Sequence, residues 1–363
     1  MLISSPGCAY LLSTWYPRYE LQKRNAVFYL IGSMASAFAG ILAFGFTKMN
    51  GLGNLGDRVY SQHVAPSAAN PKGAIMTGMA GWRWIFIMQG LLTVVVGSIG
   101  LFTIVDFPEK AARKSRNPFS LAFLNERESA FVIARIEKDR HDAVLQPFGL
   151  KDYLSNAGDM KIWGFACLFG LTTTQTYAIA FFLPQILAGM GFSAAAAQCL
   201  IAPPYVLAAG VMFGVAVLGD RFHVRGPFVA LNALVALVGL CILAFSKNVG
   251  ARYFGVFLAV TGCNSNIPTV LTYQANNIRG QWKRAFASAT LVGFGGIGGI
   301  IGSTVFRSQD EPAYIPGMIA VILASILILF ITALLTFIFR RNNRRADRGE
   351  IVIEGLEGFR HTL

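Results

Sequence analysis

Charge is what this chain has least of. Only 13% of its 363 residues are charged, against roughly 25% in soluble domains, and 18 acidic residues face 31 Lys and Arg. With 54% hydrophobic residues and a mean hydropathy of +0.53, an ordinary soluble domain is excluded. Histidine is also scarce. His63, His141, His223 and His361 are scattered over loops and the tail, with no nucleophile or carboxylate patterned beside them. Hydrolysis and group transfer are therefore disfavoured, and the expectation is no enzyme, no cofactor and no metal. Cys8, Cys167, Cys199, Cys241 and Cys263 all fall inside apolar runs without C-x-x-C spacing, which reads as small hydrophobes packed in helices. No basic segment precedes the first apolar stretch, so a signal peptide is not expected.

What the chain has instead is long apolar runs separated by short basic clusters. A spanning helix needs roughly 20 apolar residues. Eight runs meet that: Ala26 to Phe46, Trp84 to Val105, Ile162 to Leu183, Cys199 to Leu218, Phe228 to Phe245, Tyr253 to Tyr273, Phe286 to Phe306 and Ile315 to Phe339. A shorter ninth lies at Leu2 to Trp15. The fold class expected is an all-α polytopic membrane protein of about nine helices. If the chain alternates across the bilayer, one side carries most of the basic residues. Only Lys48, Arg58, Lys72, Arg83, Lys247, Arg252 and Arg307 of the 31 fall on the other. That bias is the positive-inside signature, so the net charge of +13 marks topology and not a nucleic-acid partner.

The organisation expected is a partial N-terminal bundle over 1–105 with an external loop at 50–81, a cytoplasmic linker over 106–161, a six-helix bundle over 162–339, and a cytoplasmic tail over 340–363. The 50–81 loop is rich in Gly, Pro and Ala without periodicity and reads as disordered. In the linker, Asn125 and Glu128 form a capping box. Leu124, Phe131, Val132 and Ile136 line one face of the amphipathic helix that follows.

Gly293, Gly295, Gly296 and Gly298 spell G-x-G-x-x-G, the dinucleotide fingerprint, but inside a membrane-length apolar run with no strand before it. The spacing Gly295, Gly299 and Gly298, Gly302 is the small-xxx-small pattern of close helix packing. Asp220, with Arg221 and Arg225 in reach, sits in a tight turn between two spans. It suits either a conformational latch at the helix ends or a plain topogenic turn. No Asp, Glu, Lys or Arg lies deep in the eight long runs, so the flags for a substrate cavity are uncharged: Thr173, Gln175 and Tyr177 in one helix, Asn264 and Asn266 before Pro268 in another. A proline mid-membrane is expected to break the helix and open it to a cavity; interhelical hydrogen bonding is the competing reading.

One family pattern runs along the chain. It comprises Pro6–Gly7, Tyr10 through Glu20, Lys23–Arg24, Gly81 through Phe86, Tyr177 through Gln185, Met190 through Ser193, Pro203 through Tyr205, Asn277, Gly280, Lys283 through Ala285, Phe306–Arg307, Asp310, Pro312 and Tyr314 through Gly317. In that order and spacing the sequence resembles the major facilitator superfamily, in its fungal allantoate-permease-like branch of the anion:cation symporters. Asp220, Arg221 and Arg225 match the superfamily's cytoplasmic loop motif, with Ala216 where glycine often stands. The resemblance implies a monomeric symporter in the plasma membrane. It would take small organic anions or vitamin-like carboxylates, coupled to protons, by alternating access. It aligns this chain with helices 4–12 of twelve, so three helices, and part of the cavity wall, are expected to be missing. Gln89 stands where an acid is expected, and the family's external loop has no counterpart to 54–77. A non-transporting sensor, or an inactive truncated fragment, is the alternative. Sequencing the transcript decides between them: upstream exons encoding three more spans, with 54–77 spliced out, are expected for the transporter, whereas a start at Met1 with the insert kept favours the fragment.

Overall fold

A computed structural model describes residues 11–12, 14–17, 20–49, 61–63, 75–77, 81–103, 125–140, 149–310 and 314–363. The architecture is helical. In chain order the helices are α1 (Leu21–Thr47), α2 (Gly81–Thr103), α3 (Glu126–Arg140), α4 (Leu150–Ser155), α5 (Met160–Gly189), α6 (Ala194–Leu200), α7 (Ala202–Phe222), α8 (Gly226–Phe245), α9 (Val249–Asn277), α10 (Gln281–Thr304) and α11 (Ile315–Asp347). Eight stretches, with α6 and α7 read as one, are long and apolar enough to cross a membrane. They coincide with the eight long apolar runs of the sequence, and the protein is an integral, multi-pass membrane protein. Most of the ninth candidate, Leu2 to Trp15, lies outside the described residues; Leu11–Leu12 and Thr14–Trp15 are helical.

α5 is the hub. It packs against α9, α10 and α11, while α9 also packs against α7, α8 and α1. Two apolar cores stack along the bundle. One gathers Ile179, Leu183, Leu187, Tyr205, Leu240 and Phe306; the other gathers Phe165, Leu168, Val229, Tyr273, Leu291 and Phe339. Outward faces are equally apolar. On α11, Ile319, Leu323, Leu327, Phe330, Leu334 and Phe337 stand exposed at helical spacing, a lipid-facing stripe. With 33 residues, α11 runs for about 50 Å at 1.5 Å per residue, well past a hydrocarbon core of about 30 Å. Its surplus carries Arg340, Arg341, Arg344 and Arg345 beyond the apolar stripe. Lys23, Lys161, Arg225 and Lys283 begin or cap α1, α5, α8 and α10, at the same end by the alternation of the spans. We call this the basic end.

The glycine fingerprint is a packing surface. A β-carbon on Gly295 would lie 2.6 Å from the Phe169 ring, and one on Gly302 would lie 2.5 Å from the Thr174 carbonyl oxygen. One on Gly298 would overlap the Gly170 carbonyl and the Thr173 hydroxyl. The α5–α10 contact is therefore backbone to backbone. A second contact of this kind, between α8 and α9, places Gly262 where a β-carbon would be 2.5 Å from both Ala236 N and the Asn232 carbonyl.

Three expectations need correction. α9 runs unbroken through Pro268, because α1, α5, α7 and α8 pack around it and hold the helix on course. Within 50–81, Ser61–His63 and Ile75–Thr77 pair antiparallel, with Gln62 opposite Met76, so that stretch is not wholly irregular. On α3, Ile136 is buried but Phe131 is exposed, so the expected face is not a single apolar stripe; Leu124 lies outside the described residues. At the start of α3, Glu128 accepts the Asn125 N–H at 2.9 Å.

The close α5–α10 contact predicts that Gly298→Leu lowers stability by roughly 1–3 kcal/mol through overpacking. Gly293→Ala, where a β-carbon meets open space, should be neutral or slightly stabilising. Thermal unfolding of both variants in detergent checks the contrast.

Candidate functional site

At the basic end, the turn between α7 and α8 folds two charges onto each other. α7 ends at Phe222 and is closed by His223 in the left-handed conformation, φ 56°, a cap that usually falls to Gly or Asn. The chain then enters α8 with Arg225 at its N-cap. Arg225 Nη2 donates to Asp220 Oδ1 at 2.6 Å, and both side chains are essentially fully buried. Each charge opposes the dipole of its own helix, an acid in the last turn of α7 and a cation at the start of α8. Their pairing offsets that.

The pair does not stop at its own turn. The second carboxylate oxygen, Asp220 Oδ2, accepts the backbone N–H of Lys23 at 3.1 Å. Lys23 lies in the first turn of α1, whose own N-cap, Glu20, supplies no side-chain bond. Asp220 thus caps α1 from across the bundle, where the dipole favours an anion. Arg225 Nη1 also donates to Gln22 Oε1. Gly219 permits the approach, since a β-carbon there would lie 2.6 Å from Gln22 Oε1 and 2.8 Å from Arg225 Nη1.

From this knot a polar seam continues between α1 and α9. Gln22 Nε2 donates to Thr269 Oγ1 at 3.3 Å, and Asn25 Nδ2 donates to Thr272 Oγ1 at 3.2 Å. One turn further on α9 lies Ser265, whose buried hydroxyl has no partner among the described residues, and two turns further on the seam face of α1 lies Ser33, also buried. Gln22, Asn25, Thr269 and Thr272 escaped the sequence reading. The available signal was Gln22, Asn25, Tyr29 and Ser33 recurring at helical spacing in an otherwise apolar run.

The predicted latch residues divide. Asp220 and Arg225 are brought together; Arg221 is exposed and points out of the knot, because residues one apart on a helix face different directions. The predicted cavity residues divide as well. Thr173 is buried against Gly298, and its hydroxyl donates back to the Phe169 and Gly170 carbonyls at 3.0 and 2.9 Å. Gln175 is fully buried and ties α5 to α11, donating to the Val321 carbonyl at 3.0 Å and to Ser325 Oγ at 2.5 Å. Tyr177 is 42% exposed and packs against Gly299 and Gly302 of α10. Asn264 donates to the Val260 carbonyl of its own helix at 2.9 Å. Asn266 is fully buried, and neither side-chain polar atom has a partner among the described residues. Two residues apart, Asn264 and Asn266 point to different sides of α9 and form no joint site. Asn266 shares the face of Gly262, which is turned to α8.

The buried polar knot thus lies at one membrane end of a helical, multi-pass chain. The chain is a member of the Major Facilitator Superfamily, whose family model matches residues 2–303. It is similar to the MFS-type transporter cnsO of Penicillium expansum, with 29% identity covering 97% of this chain and 64% of the relative. It is also similar to the major facilitator-type transporter hxnP of Emericella nidulans, with 29% identity covering 94% and 63%. A third relative is the high-affinity nicotinic acid transporter of Saccharomyces cerevisiae, with 27% identity covering 96% and 58%. The chain thus spans 58% to 64% of the length of these relatives. Among solved structures, the proton:xylose symporter XylE has the same fold, at a TM-score of 0.57 and 12% identity over 88% of this chain and 66% of that one.

A buried ion pair gains little over apolar residues of similar size, but removing one partner strands the other charge at a cost of about 3–5 kcal/mol. Arg225→Leu should therefore destabilise strongly, and Asp220→Leu with Arg225→Leu should recover most of that loss. Thermal unfolding of the two single variants and the double variant in detergent gives the coupling.

Proposed function

We propose that this protein is a secondary active transporter of small organic anions, working by alternating access with protons as the coupling ion, and that its basic end faces the cytoplasm. The observation that carries this reading is the Asp220–Arg225 pair capping α1 from the α7–α8 turn. It joins the first long helix to a turn about 200 residues further along the chain at one membrane face, where a gate between rocking halves has to close. Family membership supports transport. The anionic, vitamin-like substrate rests on the nicotinic acid transporter among the relatives, since nicotinic acid is itself a small carboxylate, and on the allantoate-permease-like segments of the sequence. The Lys and Arg bias supports the orientation.

In this reading Asp220 and Arg225 hold the closed state and do not touch substrate. Of the predicted cavity residues, Tyr177 and Asn266 retain polar groups that packing does not consume. Ser265, above the seam, is the residue the structure adds to them. Hydroxyls and a side-chain amide can donate hydrogen bonds to an anion.

Reconstituted protein should accumulate labelled nicotinate above equilibrium when protons flow inward, and a protonophore should abolish the accumulation. Asp220→Asn should cut uptake about tenfold or more with normal insertion, since a shift near 1.4 kcal/mol in the gate suffices. Binding without accumulation would point to a sensor. Flux that never exceeds equilibrium would point to a channel.

A further inference from the structure

Beyond α11 the chain reverses and returns under the basic end. Gly349, at φ 74°, makes the reversal in the left-handed region that favours glycine. A short 3-10 turn, Ile353–Gly355, follows. Within it Glu354 is also left-handed, at φ 51°. A non-glycine residue in that region is held there by its surroundings.

What holds Glu354 is a cluster of charges from two helix starts. Its carboxylate pairs with Lys161 of α5 and lies 2.9 Å from Lys283 Nζ of α10. Asp159, which caps α5, lies 2.7 Å from the same Lys283 nitrogen. Arg279 donates to the Glu354 carbonyl at 3.1 Å. Burial alone would raise the Glu354 carboxyl, but Lys161 and Lys283 outweigh it and hold it below the usual range, so it is ionised. A depressed carboxylate contributes most above its free value and loses its contribution only as pH falls through the docked one. The carboxylate therefore stays in its charged, pairing form at neutral pH.

Further along, the segment is threaded into the bundle. His361 stacks on Phe339 at 4.3 Å. Asn343 takes both backbone groups of His361, each at 2.8 Å. Burial pushes the His361 imidazole down to about 4, so the ring is neutral, and Nδ1–H donates to Asn277 Oδ1 at 3.0 Å. The Leu363 carbonyl then accepts the backbone N–H of Arg225 at 2.5 Å. Arg225 is the residue whose side chain holds Asp220 and Gln22.

We infer that residues 350–363 are a strap that positions Arg225, so that Glu354 and His361 set how firmly α1 is held to the α7–α8 turn. Glu354 fastens the strap to α5 and α10, His361 keys it into α9 and α11, and Leu363 delivers it to the Arg225 backbone. The inference rests on the proposed transport only in naming that contact a gate; the contact itself is measured without substrate.

Hydrogen exchange of the full chain in detergent tests it. Glu354→Lys sets a cation against Lys161 and Lys283, and His361→Ala removes the stack while leaving the ion cluster intact. Each should raise exchange at least tenfold in 350–363 and also in the 20–26 segment at the start of α1, with 255–265 in the core still protected. In an Asp220→Asn background the further rise at 20–26 should vanish, because the strap acts there only through the knot. A strap that loosens while 20–26 stays protected would reduce it to a local brace and overturn the inference. So would a strap that stays protected in both variants.

Discussion

One carboxylate carries the arrangement at the basic end. Asp220 is buried, opposes the dipole of its own helix, and has two oxygens to satisfy. Arg225 takes one and the start of α1 takes the other. Without Asp220, Arg225 would be a buried cation without its counter-charge, and α1 would lose the acceptor that caps its first turn. Gln22 and Gly219 bring the two parts within reach, and the α1–α9 seam continues the contact into the membrane.

This economy suits a gate. A buried ion pair contributes little net stability but discriminates sharply between made and broken states, which is what separates two conformations of similar energy. The apolar cores around α5 and the glycine contacts to α10 are of the opposite kind. They are backbone-close contacts, and in the proposed reading they keep the six-helix set rigid while the seam opens and closes. The strap adds an adjustment, reaching the same arginine from the cytoplasmic side in the proposed orientation.

The spans were readable because hydrocarbon imposes one rule on every residue of a helix, and the eight apolar runs obey it. Asp220 and Arg225 stood out for the same reason, as charges in a turn too tight to separate them. The cavity residues were not readable, and the threonines of α5 show why. Thr172, Thr173, Thr174 and Thr176 each donate to a carbonyl of the preceding turn, so a hydroxyl in the membrane is satisfied at home and reveals nothing of what it faces. Gln175 is likewise a tie between helices. Pro268 misled because its effect on α9 depends on neighbours that are distant in sequence. The strap was hidden too: a basic tail looks solvated until the Glu354 side chain and His361 are seen to be buried.

Reversible holding of α1 to the α7–α8 turn through Asp220 is directly measurable. Spin labels at positions 24 and 221, both exposed on either side of the knot, report that distance by double electron–electron resonance. A reversible Asp220 contact gives a dominant short distance in the native protein and a longer one gaining population in Asp220→Asn. A single distance, unchanged by that substitution, would contradict it.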